Sequence, residues 1–201
     1  MSKEEQQIIF GRHPVMDALD AGEPFEKIWV QQGVRGQFEK DLRGLCRKRR
    51  IPLQQLPKEK LNRVTGGGNH QGVVGFVSPI RYYRLSELIP HTFEQGLNPL
   101  FVLLDGITDV GNMGAIARSA DCAGVSGLVI PRKGTARVNA EAIKSSAGAL
   151  LRLPVCREQS LPAAVELLKQ SGIKVAALDG NGEQAVFESD FRQPLALLMG
   201  S

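Results

Sequence analysis

Residues 100–104 read Leu-Phe-Val-Leu-Leu, an apolar run with no polar interruption. A strand buried on both faces has this pattern, because neither face meets water. Shorter apolar segments at 128–130, 153–156, 174–178 and 195–199 predict further strands. Between them, residues 113–123, 139–149 and 161–170 predict helices. Asn112 and Gly124 bracket the first of these as start and stop, and Ser160 and Gly172 bracket the last. Nearer the N-terminus, residues 27–31, 51–55 and 73–77 predict strands, and 58–64 a short helix. In residues 37–49, Phe38, Leu42, Leu45 and Cys46 recur at helical spacing, with Arg43, Arg47 and Lys48 opposite them. Strands alternating with helices predict an α/β chain, with a mostly parallel sheet in its second half. Ligands of such sheets bind beyond the carboxyl ends of the strands, so the loops after Leu104, Leu178 and Met199 are the first places to look for a site.

Punctuation divides the chain. Pro79, Pro90 and the segment Gly96-Leu97-Asn98-Pro99 form a seam, giving an expected first domain over 1–78, a linker over 79–98 and a second domain from 99 to 201. Charge sharpens the division. The formal net charge is +4, and residues 1–97 hold 15 Lys and Arg against 11 Asp and Glu, whereas residues 98–201 hold 10 of each. The whole excess therefore sits in the first half, as expected for a nucleic-acid footprint. Three cysteines, Cys46, Cys122 and Cys156, lie far apart with no zinc-ligand spacing, so reduced thiols and no metal site are expected. No segment has the length of a membrane span, and the opening MSKEEQQ lacks a secretion signal; a cytoplasmic protein is expected.

Two loops carry candidate chemistry. The first, Asp105 to Gly114, follows the buried strand and holds two carboxylates, an amide and three glycines. Asn112 at the helix start and Arg118 further along are placed to frame an anionic or ribose-bearing ligand. The competing reading is structural: Asn112 caps, Asp105 shapes a turn and Arg118 pairs with Asp121. The loop matches neither a Gly-x-Gly-x-x-Gly fingerprint nor a P-loop, which argues against a dehydrogenase or an NTPase. The second loop, Gly66 to Gly72, contains three consecutive glycines with His70 and Gln71 beside them. It fits either close approach of a partner or a flexible entry to the next strand. Arg47, Lys48, Arg49 and Arg50 form a basic run at a helix end, suited to RNA phosphate or simply to the helix dipole. No aromatic stripe accompanies it, so a base-stacking platform is not indicated.

Leu104-Asp105-Gly106-Ile107-Thr108-Asp109, followed by Asn112, Gly114, Arg118, Ala120 and Gly124, resembles the first signature motif of the SpoU/TrmH family of the SPOUT superfamily. Ile9 to Val15 resembles the family's opening segment, and His70-Gln71-Gly72-Val73 the end of its substrate-binding domain. Lys144 to Ala149 with Leu153-Pro154-Val155 also fits, so the likeness runs along essentially the whole chain. The family's members are S-adenosylmethionine-dependent ribose 2′-O-methyltransferases acting on RNA. Within it, the chain is most similar to enzymes that methylate a guanosine of large-subunit ribosomal RNA.

The resemblance implies a small RNA-binding domain similar to ribosomal protein L30e, then a methyltransferase domain with a trefoil knot, acting as a homodimer. It implies that Arg118 acts on the 2′-hydroxyl and Asn112 orients the site. Leu178, Asp179, Gly180 and Gly200 would line the S-adenosylmethionine pocket. RNA, with 23S ribosomal RNA expected, would meet Arg12, His13, His70, Gln71, Arg47, Lys48 and Arg50. Two departures stand out. Val110 occupies a position where the motif usually has proline, and residues 197–201 open a second motif that should continue, with a third after it. An incomplete methyltransferase domain, inactive by itself, is therefore expected. A guanidinium holds its proton too tightly to serve readily as a base, so phosphate binding and polarisation of the hydroxyl are the more economical role for Arg118. The alternatives are a non-catalytic RNA-binding module and the same chemistry on transfer RNA.

Overall fold

The structure, a computed structural model, describes residues 7–182, 185, 188 and 190–200. It divides into two compact units, Met1–Pro79 and Ile80–Ser201.

The first unit is a four-stranded sheet in the order β1-β4-β2-β3, from β1 (Ile8–Phe10), β2 (Phe25–Gln31), β3 (Leu53–Leu56) and β4 (Val73–Val77). β4 runs antiparallel to both neighbours, and β3 is parallel to β2. Side chains alternate across a strand, and the sequence uses both faces. Ile28, Val30 and Val73 pack with Val15, Leu19, Leu42 and Cys46 from α1 (Arg12–Ala21) and α2 (Gln37–Lys48). Val74 and Phe76 meet Leu61 of α3 (Lys58–Val64) on the other face, with Trp29 edge-on to Phe76. Each fully buried side chain of this size contributes roughly 1.5–3 kcal/mol. Burial also pushes the Cys46 thiol up to about 11, so it fills the core as a neutral apolar group.

The second unit is a six-stranded, all-parallel sheet in the order β5-β8-β7-β6-β10-β9. Its strands are β5 (Tyr82–Tyr83), β6 (Leu100–Leu104), β7 (Gly127–Pro131), β8 (Val155–Glu158), β9 (Lys174–Leu178) and β10 (Leu195–Met199). Helices α5 (Val110–Cys122), α6 (Ala140–Ser145) and α7 (Ala149–Arg152) supply one core, with Val102, Leu104, Leu128 and Ile130 beneath them. Helices α4 (Leu85–Glu94) and α8 (Leu161–Gln170) supply the other, over Phe101, Leu103, Val129 and Cys156. Burial pushes the Cys156 thiol up to about 12, helped by Glu158 and Glu87. The α/β class and the parallel sheet expected from the sequence are both found.

Several boundaries differ from expectation. Helix α5 begins at Val110, three residues early, because Asp109 caps it by accepting from the Asn112 N–H (2.7 Å); Asn112 is not the cap. Val110 thus sits at the first helical position, where a proline is also at home. The single helix expected over 139–149 breaks into α6 and α7. Ala147 and Gly148 turn to φ 50° and 79°, and the Gly148 N–H returns to the Ile143 carbonyl (2.9 Å). The segment read as a linker carries β5 and α4, whose Leu85, Leu88 and Ile89 are buried in the second unit. Pro90 lies inside α4 without ending it. Helix α1 and strand β1 were not anticipated from the pattern.

Candidate functional site

In the second unit, β6, β10 and β9 finish abreast. Met199 is in register with Leu104 on one side and with Leu178 on the other. The Asp105 N–H continues the ladder by donating to the Met199 carbonyl (2.8 Å). The chain therefore leaves β6 and β9 on either side of the end of β10, at the point where it switches from one half of the sheet to the other. Leu178, Asp179, Gly180 and Gly200 all lie along this rim and are exposed. A Cβ built on Gly180 or Gly200 would meet nothing within 4 Å, so both backbones face open space. Asp179 shapes its turn by accepting from the Asn181 N–H (2.9 Å). Leu178, Asp179, Gly180 and Gly200 thus present exposed chain just beyond the ends of β9 and β10.

The loop from Asp105 is built to stay put. Buried Ile107 plugs it into the core, and its carbonyl accepts from the Ala136 N–H (2.7 Å) and the Thr135 hydroxyl (3.3 Å). Gly114 presses α5 onto α6: the Ser145 hydroxyl lies 1.8 Å from where a Cβ would sit. That hydroxyl donates to the carbonyls of Ala142 (3.1 Å) and Val110 (3.3 Å). Asn112 is exposed at the head of α5. Arg118 is exposed about 9 Å further along the helix and about 120° around it. The two side chains therefore leave α5 on different faces. Asp121, the partner considered for Arg118, pairs instead with Arg152. The Arg118 guanidinium has no partner among the described residues.

The first unit holds a cleft of about 870 Å³ between the start of α1 and the loop from Gly67 to Gly72. The Arg12 N–H donates to Gln71 Oε1 (2.9 Å) and its Nε to the Gln71 carbonyl (3.2 Å), while its guanidinium lies 4.9 Å from the centre of the Phe38 ring. Gln71 itself adopts a left-handed backbone, φ 49°. His70 turns inward and is buried. Its Nδ1 accepts from the Gly72 N–H (2.9 Å), so the proton is on Nε2, which donates to Asn62 Oδ1 (2.8 Å). Arg12, His13 and Gln71 line the cleft from exposed positions, whereas His70 commits both ring nitrogens to holding the loop. The glycines close the loop onto its surroundings: a Cβ on Gly72 would come within 2.9 Å of Val34 Cγ2. Arg47, Lys48 and Arg50 lie on the surface at the end of α2, away from the lining of this cleft. The bonds formed by Arg12 with Gln71 and by His70 with Asn62 carry no sequence signal, since they depend on loop conformation.

Burial, and secondarily the charge of Lys58, hold His70 below the ordinary histidine pKa. The unfolded chain therefore binds the proton first, and the stability of the first unit falls as pH drops below about 6.5. Thermal unfolding from about pH 7.5 to about pH 5.5 is expected to show this slope, and His70→Gln to flatten it.

No helix of the described residues is long and apolar enough to cross a membrane, and none of their His, Cys, Asp and Glu side chains group as a metal site.

Comparison with known proteins matches the chain in two segments. Residues 8–83 match the RNA 2′-O ribose methyltransferase substrate-binding family, and residues 99–201 the SpoU rRNA Methylase family. A putative TrmH family tRNA/rRNA methyltransferase of Bacillus subtilis is 33% identical over 202 residues, covering 100% of this chain and 80% of that protein. An uncharacterised tRNA/rRNA methyltransferase of Synechocystis is 31% identical over 201 residues; the chain spans 52% of its length. Among solved structures, the SpoU methyltransferase AviRb of Streptomyces viridochromogenes, in complex with AdoMet, superposes with a TM-score of 0.51 at 26% identity, over 96% of this chain and 72% of that one. With both halves matched in order, the chain belongs to the SpoU/TrmH family of S-adenosylmethionine-dependent RNA methyltransferases.

Proposed function

We propose that the protein transfers a methyl group from S-adenosylmethionine to a ribose 2′-hydroxyl of RNA, with a guanosine of 23S ribosomal RNA as the target. The observation that carries this reading is the rim where β6, β10 and β9 end together, inside the segment matched to the SpoU rRNA Methylase family. The cofactor supplies a methyl already activated on a sulfonium. Leu178, Asp179, Gly180 and Gly200 hold its nucleoside along the rim, largely by backbone contacts. The protein's own contribution is to bring the ribose oxygen in line and to manage its proton. Arg118 grips the phosphate beside the target ribose and polarises the hydroxyl; Asn112 orients the loop in front of it. Because these two residues diverge around α5, a homodimer is the natural arrangement, with Arg118 serving the partner's site. RNA meets Arg12, His13 and Gln71 around the cleft, with Arg47, Lys48 and Arg50 adding phosphate contacts. His70 acts by positioning that loop. Such a substrate implies a cytoplasmic site of action.

The test is transfer of labelled methyl from S-adenosylmethionine to unmodified ribosomal and transfer RNA. It uses the longest natural product containing this chain, with the Bacillus subtilis relative alongside. Label released as a 2′-O-methylguanosine from 23S RNA is the expected result. Label in transfer RNA alone moves the target. Salt-sensitive RNA binding without any transfer supports instead a non-catalytic RNA-binding module.

A further inference from the structure

We propose that the cleft of the first unit receives a single unpaired nucleotide of the RNA, its base and phosphate together. This rests on the reading above that RNA is the substrate.

Shape makes the first argument. A space of about 870 Å³ lies in the range of small-ligand sites, and it is concave. A duplex presents a convex surface with its bases turned inward and has nothing to insert, whereas a looped-out nucleotide does. Charge makes the second. Arg12 and Lys58 line the cleft, and no carboxylate among the described residues does. Arg12 is prearranged: its Nε is bonded to the Gln71 carbonyl and its planar group is packed over Phe38. The outer edge of the guanidinium is left to grip a phosphate in the two-pronged manner that suits it.

Hydrogen-bond chemistry makes the third, and it bears on the base. Nδ1 of His70 accepts from a backbone N–H, so its Nε2 must donate, and Asn62 must answer with its oxygen. The Asn62 amide nitrogen is thereby left as a donor. Likewise the Gln71 oxygen is taken by the Arg12 N–H, which leaves the Gln71 amide nitrogen as a donor. Two amide donors beside a phosphate-binding arginine suit an acceptor-rich base edge, such as O6 and N7 of guanine or the carbonyls of uracil. No Phe, Tyr or Trp is among the lining residues and the His70 ring is buried, so recognition runs mainly through the base edge, with the exposed His13 imidazole as the one ring beside it.

The experiment measures binding of the full chain to a short RNA hairpin carrying one bulged guanosine or uridine in its stem, and to the same hairpin fully paired. At least one bulged hairpin is expected to bind about tenfold more tightly than the paired one. Arg12→Gln and Lys58→Gln should each erase most of that preference, weakening the bulged complex several-fold more than the paired one. Asn69→Ala alters an exposed cleft residue, and should weaken only the bulged complex, with unchanged thermal unfolding as the check on folding. Equal affinity for bulged and paired hairpins overturns the proposal, as does an equal loss on both in the two charge variants. A bulge preference without methyl transfer removes the catalytic reading and leaves this one. Methyl transfer without a bulge preference does the reverse.

Discussion

Arg118→Ala is expected to lower the rate of ribose methylation by about 10²–10³-fold, the scale on which a preorganised charged donor contributes to a transition state. The same change should leave stability within about 0.5 kcal/mol, because Arg118 is exposed and its guanidinium has no partner among the described residues. Loss of turnover without loss of fold separates a residue that touches the reacting RNA from one that supports the protein. Arg118→Lys then distinguishes two roles. A lysine keeps the charge but not the planar fork, so a rate close to Arg118→Ala points to two-pronged phosphate binding. A rate close to the parent shows that charge alone suffices. Both are read from single-turnover transfer of labelled methyl at saturating cofactor. A parent-like rate in Arg118→Ala would remove Arg118 from the mechanism.

Gly114→Ala should destabilise the second unit by about 1–3 kcal/mol, the usual cost of inserting a methyl into a filled space. The direction is the informative part. In an unobstructed helix, exchanging glycine for alanine stabilises by about 1 kcal/mol, so simple helix propensity predicts the opposite sign. Here the new methyl would meet the Ser145 hydroxyl at 1.8 Å and its Cβ at 2.7 Å, with the Ser145 backbone carbon at 2.9 Å. Ser145→Gly in the same chain should recover part of the loss by clearing the side chain, though not the backbone contact. Denaturant unfolding of the two single variants and the double variant measures this coupling. Additive losses would show that α5 and α6 move apart freely. Because Ser145 also donates to the Val110 carbonyl at the head of α5, the strain should reach the loop that begins at Asp105.

Much of this architecture was legible from residue order because the second unit is regular. Five apolar runs became strands of one parallel sheet, and the rule that ligands lie beyond their carboxyl ends pointed to the rim that the structure assembles. What escaped did so for identifiable reasons. Asp109 and Asn112 are both good helix caps, three residues apart, and only the bond from the Asn112 N–H to the Asp109 carboxylate decides between them. Helix α4 contains Pro90 and follows Pro79, so punctuation concealed it, while Leu85, Leu88 and Ile89 give it a buried face. Helix α1 buries only Val15 and Leu19, too few to stand out as a period. His70 looked like a polar group for a ligand; the fold buries it, because a backbone N–H and an amide oxygen satisfy both its nitrogens. Arg12 and Gln71 lie 59 residues apart, beyond the reach of any local pattern.

The position of β10 bears on how the protein comes into being on the ribosome. It is the last described strand to be synthesised, yet it lies between β6 and β9, pairing Leu195 with Leu100 on one side and Lys174 on the other. Until it emerges, β6 has an unsatisfied edge and β9 has no neighbour in the sheet. The first unit contains its own sheet and cores within residues before 80 and is free to fold during translation. The second unit must wait for a strand some 95 residues downstream of its partner, and such distant pairing closes slowly. A nascent chain paused before Leu195 is thus a folded N-terminal unit trailing an open, adhesive β-sheet, the stage at which chaperone contact matters most.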